Sequence, residues 1–291
     1  MKKEIYVNEL SLNGQFRDME EFLKKNKSFI ALLVWLKNNG WDIYKKSDLY
    51  ERNITESERM YKLRGMKHTS NPSDRDLILR YKKLLLDLQD SPPFWDIEMK
   101  LPEATYTMQG EDISCSSIAK SCESSGLALS FWYEQFENKE LQIVKDDVEA
   151  LCVFSVYSLP YLNEVIYRKN VITAREYIEL KYRNTRLDFS KLEDGYDFIG
   201  FEKKEIEECI ESFDRFIKHE SWEALNHDRS LNFKEYSPAS KKDDWFYETE
   251  YSNKKIYKFR CGNPKRCFGY REQETFYVLR MERDHKISDK G

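Results

Sequence analysis

The chain has 291 residues, 34% of them charged and 14% aromatic, with a formal net charge of −4 and a mean hydropathy of −0.77. This composition excludes a largely disordered chain and fits a globular protein of two domains, because a single core stops growing at about 250–300 residues. The longest apolar run, FIALLVWL at 29–36, is far short of the roughly 20 residues that span a bilayer, so it reads as a buried helix and no membrane partner is expected.

The segment MKKEIYVNEL has no apolar stretch and no small-residue cleavage site, which points to a cytoplasmic protein. Cysteines 115, 122, 152, 209, 261 and 267 include no Cys-x-x-Cys, so they read as reduced thiols without a metal. From Lys254 to Gly291 there are eleven Lys/Arg against five Asp/Glu, a balance of +6, which leaves −10 on the other 253 residues. A basic working surface near the end of the chain follows from that asymmetry.

In chain order, residues 5–16 suggest a short strand ending at Asn13-Gly14, and Asp18 to Asn38 reads as one helix. Its expected partner is a second long helix over DRDLILRYKKLLLDLQD, capped by Ser73 or Asp74 and stopped by Ser-Pro-Pro at 91–93. A polar helix near Ser114 to Ser124 stops at Gly126, and LALSFW, LQIV and ALCVFSVY read as strands. Thr173 and Glu176 form a capping box for another helix, and a further one runs from about Phe201 to His219.

The last third changes character. SLNFKEY, KIYKFRC, KRCFGYR and TFYVLRMER are consecutive strand-like segments separated by turn residues such as Gly262-Asn263-Pro264. The fold expected is α+β: a mixed α/β domain over 1–199, then helices on an antiparallel sheet over 200–291, with one sheet face left open.

Walker, dinucleotide-glycine and Gly-x-Ser-x-Gly motifs are missing. His219, Glu223 and His227 would recur along one helix face, but three ligands over two turns span about 12 Å, too far for one ion. Asp197 with Glu202-x-Lys204 matches a metal-nuclease pattern that Glu-x-Lys repeats also produce by chance, as at Glu179-Leu180-Lys181. No cofactor or metal is therefore called for.

The ribbon YKFRCGNPKRCFGYR at 257–271 remains. Strand alternation puts Lys258 with Arg260, Arg266 with Tyr270, and Arg280 with Glu282 on shared faces. Guanidinium groups beside tyrosine rings suit RNA, since Arg grips phosphate bidentately and flat groups stack on unpaired bases. Lys258, Lys265, Arg271, Arg280 and Lys286 are the expected RNA contacts.

The order SWEALN, SLNFKEY, FRCGNPKRCFGYR and FYVLRMERDHK, over roughly 200–291, resembles the C-terminal half of the RelE/HigB-like superfamily of messenger-RNA interferase toxins. Arg260, Gly262 and Arg266 match the family's R-x-G-x-x-R hairpin with one extra residue, and Val278-Leu279-Arg280 matches its closing strand. The resemblance implies metal-independent RNA cleavage, in which the ribose 2'-OH attacks the adjacent phosphorus and leaves a 2',3'-cyclic phosphate. On that reading Arg260 and Arg266 bind the phosphate and its transition-state charge, while His285, Tyr270 or Glu282 moves protons. The partners implied are RNA, free or on the ribosome, and a protein: an antitoxin, a regulator or a defence-complex subunit.

Two other readings stand beside this toxin or defence effector. The same ribbon can serve a non-catalytic RNA-binding or adaptor subunit. Alternatively the N-terminal region is the active part, with an acidic, tyrosine-rich surface as a protein interface.

Overall fold

The computed structural model describes residues 3–66 and 72–287. The fold is α+β, and the chain divides into two compact units, Met1–Lys169 and Asn170–Gly291. No helix among the described residues is long and apolar enough to cross a membrane. All six cysteines are free, and Cys209, Cys261 and Cys267 are buried.

The first unit holds strands β1 (Glu4–Asn8), β2 (Asp42–Tyr44), β3 (Tyr106–Met108), β4 (Glu111–Asp112), β5 (Leu127–Ser130), β6 (Lys139–Lys145) and β7 (Glu149–Val156). Its helices are α1 (Met19–Lys25), α2 (Lys27–Asn38), α3 (Pro72–Asp90), α4 (Trp95–Glu98), α5 (Ser117–Ser124) and α6 (Leu159–Arg168). The sheet runs β2-β1-β5-β7-β6-β3-β4, parallel from β2 to β7 and antiparallel beyond. Ile5, Tyr6 and Val7 are fully buried, as a central parallel strand requires, whereas β6 alternates exposed and buried residues like a half-covered antiparallel strand.

Sequence periodicity ran one helix from Asp18 to Asn38, but the chain breaks at Asn26 into α1 and α2. The Asn26 amide donates to Phe22 O (2.9 Å) and accepts from Trp132 N (2.7 Å), competing with helical bonding at that point. Both short helices still pack on α3, the expected partner. Helix α3 runs Pro72–Asp90, and the side chains of Ser73 and Asp74, expected to cap it, lie outside the described residues. At the end of α5 the left-handed residue is Ser125 (φ 54°), one position before the expected Gly126.

A buried polar chain crosses the carboxyl ends of β1, β5 and β7. Asn8 Nδ2 donates to Ser130 Oγ (2.8 Å), which lies 2.6 Å from Ser155 Oγ, and Glu9 accepts from the Ser117 N–H (3.1 Å) at the start of α5. Burial pushes the Glu9 carboxyl pKa up, against the lowering effect of its Ser117 hydrogen bonds.

The second unit contains α7 (Ala174–Tyr182), β8 (Leu187–Asp188), α8 (Lys203–Ile217), α9 (Trp222–His227), β9 (Lys234–Glu235), β10 (Ile256–Arg260), β11 (Arg266–Glu272) and β12 (Thr275–Glu282). The Thr173/Glu176 capping box is present on α7. The sheet runs β8-β12-β11-β10-β9, antiparallel except for β8, which lies parallel to β12. Because β8 joins this sheet, the compact unit begins at Asn170, earlier than the 199/200 boundary expected from sequence. Only Lys234–Glu235 of SLNFKEY forms a strand.

Helix α8 buries Ile206, Cys209, Phe213 and Phe216 along one stripe. Phe213 and Phe216 meet Phe259 of β10, and Phe216 also meets Phe276 of β12, at centroid distances of 4.8–6.1 Å. This aromatic layer fixes one face of the sheet. The opposite face carries Lys258, Arg260, Arg266, Tyr270, Arg280 and Glu282 from the expected RNA site.

Candidate nucleic-acid interface

Register puts most of the ribbon on that opposite face. Lys258 pairs with Phe268 and Arg260 with Arg266 across β10 and β11, while Phe268 pairs with Arg280 and Arg266 with Glu282 across β11 and β12. The shared-face expectation therefore holds, but the open-face expectation does not. Lys258, Lys265, Arg266, Tyr270, Arg280 and Glu282 are each only 2–8% exposed.

Two causes account for the burial. Residues 236–254, which sequence patterns left unassigned, fold over the face and pack Trp245, Phe246 and Tyr251 against Phe268, Tyr270 and Leu279. The buried cations are also matched, as burial of charge requires. Lys265 Nζ donates to Glu208 Oε2 of α8 (2.7 Å), and Arg266 Nη1 donates to the carbonyls of Pro264 and Lys265 (both 2.8 Å). Arg280 holds Glu193 through two hydrogen bonds (3.0 and 2.7 Å), donates to Trp245 O (2.5 Å), and sits 4.2–5.1 Å from the rings of Tyr196, Trp245 and Phe246.

Lys258 lies 5.5 Å from the Tyr236 ring, Tyr270 stacks with Tyr251 and Tyr277, and Glu282 accepts from the Ile287 N–H. His285 occupies a left-handed turn position (φ 61°), and Lys286 pairs with Asp284. Arg260 is exposed.

A different basic cluster forms at the end of the aromatic layer. Arg271, paired across strands with Phe276, points to the α8 side, and its guanidinium carbon lies 4.3 Å from the Trp222 ring and 5.2 Å from that of Tyr257. Among the described residues this guanidinium makes no hydrogen bond or ion pair. Arg186, just before β8, is also 4.3 Å from the Trp222 ring.

Trp222 opens α9, where Ser221 Oγ accepts the Ala224 N–H (3.1 Å), and Trp222 Nε1 is tied to Gln273 O (3.2 Å). Arg186 Nη1 donates to His219 O, Nη2 reaches the exposed Glu274 at 3.4 Å, and buried Nε has no hydrogen-bond partner among the described residues. Burial lowers the Arg186 pKa, with the nearby Arg271 charge acting in the same direction. Two guanidinium groups thus face one exposed carboxylate. The rim is short of anionic partners and bordered by aromatic rings.

Sequence had singled out Arg271 but not Arg186 or this role for Trp222. Arg186 lies in NTRLDFS, which has no motif or charge run to mark it. Only the pairing of β8 with β12 brings it to the rim.

Both metal patterns dissolve. HESWEALNH is not one helix, since α8 ends at Ile217 and α9 starts at Trp222. His219 Nε2 lies 2.8 Å from Asp228 Oδ2, and His227 Nδ1 lies 2.8 Å from Glu223 O. Glu202 caps α8 in a box with Glu205, and Asp197 pairs with Arg175 at 3.5 Å.

Asp228 joins α8 to the following loop. Burial raises its pKa, but bonds from Arg215 (2.5 Å) and the backbone N–H groups of Ser230 and Leu231, together with His219, outweigh this and hold it at about 2. The folded value lies below the ordinary 3.8, so the stabilisation is complete above that pH and is lost as pH falls towards 2. About 2 kcal/mol is expected. In urea titrations the stability gap between wild type and Asp228→Asn should close by that amount from pH 5 to pH 2; a gap independent of pH would remove the assigned linkage.

No protein-family model matches this chain, and no curated protein or solved structure is significantly similar to it.

Proposed function

We propose that this protein is a non-catalytic RNA-binding module that holds single-stranded RNA at the Arg186, Trp222, Arg271 and Tyr257 rim. The observation that carries the reading is the Arg271 guanidinium, held over two aromatic rings without an acceptor for its N–H groups among the described residues. A phosphate oxygen supplies that acceptor, and Arg186 is close enough to Trp222 to engage the same backbone. Aromatic rings beside paired guanidinium groups favour unpaired nucleotides over duplex, whose bases are already stacked. Cleavage at Arg266, Tyr270 and Glu282 would need RNA to reach side chains that are only 4–8% exposed.

The test is fluorescence anisotropy of a labelled oligoribonucleotide with the full chain over a range of NaCl concentrations. Arg271→Ala should weaken binding about tenfold and reduce the salt slope by about 0.7, the value for one phosphate contact on a single strand. Equal affinity and slope in wild type and variant would discard the rim as the binding site. New 2',3'-cyclic phosphate ends that disappear in Arg266→Ala would instead favour the nuclease reading.

A further inference from the structure

We propose that the free edge of β7 docks an extended, basic segment of a partner protein, which pairs with the strand and places a lysine or arginine in the adjoining acidic cavity. All the residues concerned belong to the first compact unit. The inference therefore does not rest on the RNA rim, whose residues lie in the second.

The edge arises because the two neighbours of β7 differ in length. β7 pairs with β6 from Glu149 to Ser155, but with β5 only at Ser155 and Val156. Among the described residues, Glu149–Val153 have no backbone partner on the side away from β6. At 3.3 Å per residue this is an edge of about 16 Å. Such edges are usually shortened or covered, and an added strand satisfies their N–H and C=O groups.

Strand alternation turns Glu149 and Leu151 to the same side, and both line a cavity of about 570 Å³. Its wall carries Glu103, Glu123, Asp146 and Glu149 against Lys145. Lys145 lies 3.5 Å from Glu149, while Lys120 (3.1 Å) and Lys100 reach Glu123 and Glu103 from outside the wall. Asp146 Oδ1 accepts from the Thr105 N–H (2.9 Å) and Oγ1 (3.3 Å) and makes no ion pair among the described residues, so it keeps its full charge. With the exposed Asp147 at the hairpin tip, five carboxylates stand against three lysines. The whole segment 100–150 has ten Asp/Glu and four Lys, a balance of −6.

A second observation inside the cavity points to a cation. Tyr106 is 1% exposed and lines the wall, yet its hydroxyl makes no hydrogen bond among the described residues. Burial first, and then the charges of Glu123, Asp146 and Glu149, push its pKa up to about 12. The hydroxyl is thus a neutral acceptor in a negative field, suited to an ammonium or guanidinium donor. A polyamine or metal ion would use the carboxylates but not the strand edge. A basic helix has no unpaired backbone to offer, so edge and cavity together select an extended basic chain.

Fluorescence anisotropy of a short labelled peptide alternating arginine with valine, titrated with the full chain at low ionic strength, tests the site. The peptide should bind. The double variant Glu103→Gln/Glu149→Gln, at side chains 74% and 58% exposed, should weaken it about tenfold, and Tyr106→Phe about threefold. Glu134→Gln, an exposed carboxylate outside the cavity wall, should leave affinity unchanged. The same peptide N-methylated at alternate residues keeps its charges but loses N–H donors, and it should not bind. Equal binding of the N-methylated peptide would remove the strand pairing, and spermine binding as tightly as the peptide would reduce the site to a polyamine pocket; either result overturns the proposal. So would no binding up to about 1 mM peptide, or an unchanged affinity in the double variant.

Discussion

Arg280→Ala is expected to destabilise the second unit by about 3 kcal/mol and to open residues 236–254 to proteolysis. Removing one member of a buried ion pair costs about 3–5 kcal/mol, and the lower end applies because Glu193 keeps 25% of its side chain exposed. The loss has several parts: two hydrogen bonds to Glu193, one to the Trp245 carbonyl, and the guanidinium contact with three rings. Arg280→Lys should recover little of it, since an ammonium cannot form the paired geometry with Glu193 while also reaching Trp245 O. Urea unfolding and timed digestion read the two effects. If Arg280→Ala keeps the wild-type urea midpoint and digestion pattern, Arg280 does not anchor the cover.

Gly269→Ala should be at least as damaging. A Cβ at this position would lie 2.1 Å from Tyr277 O and 2.7 Å from the Phe276 ring, at the irregularity between Phe268 and Gly269 where β11 shifts register against β12. Neither neighbour can withdraw cheaply, because Tyr277 O is backbone and Phe276 is buried in the aromatic layer. A cost on the order of 4 kcal/mol follows. The control is Gly65→Ala, where the added carbon meets nothing within 4 Å. Comparable urea midpoints for the two variants would show that the sheet absorbs the clash.

Arg280 and Gly269 show why the basic ribbon misleads when read alone. Alternation in KIYKFRC and KRCFGYR correctly places Lys258, Arg260, Arg266 and Tyr270 on a common face. Whether that face meets water depends on Glu193, more than eighty residues earlier than Arg280 in the chain, and on a cover rich in Trp, Phe and Tyr but without periodicity. Charge runs report composition; ion pairing decides whether a charge remains available.

The sequence by itself determined the α+β class, the amphipathic α8, the capping box at α7 and the strand-turn-strand order of the basic segment. Each follows from side chains within a few residues of one another, where helical spacing, alternation and turn preferences act directly. Tertiary structure alone decided the break at Asn26, the recruitment of β8, the burial beneath residues 236–254 and the meeting of Arg186, Trp222 and Arg271. These depend on hydrogen bonds and packing between distant segments, and a local pattern fixes which faces a segment has but not which of them another segment will cover.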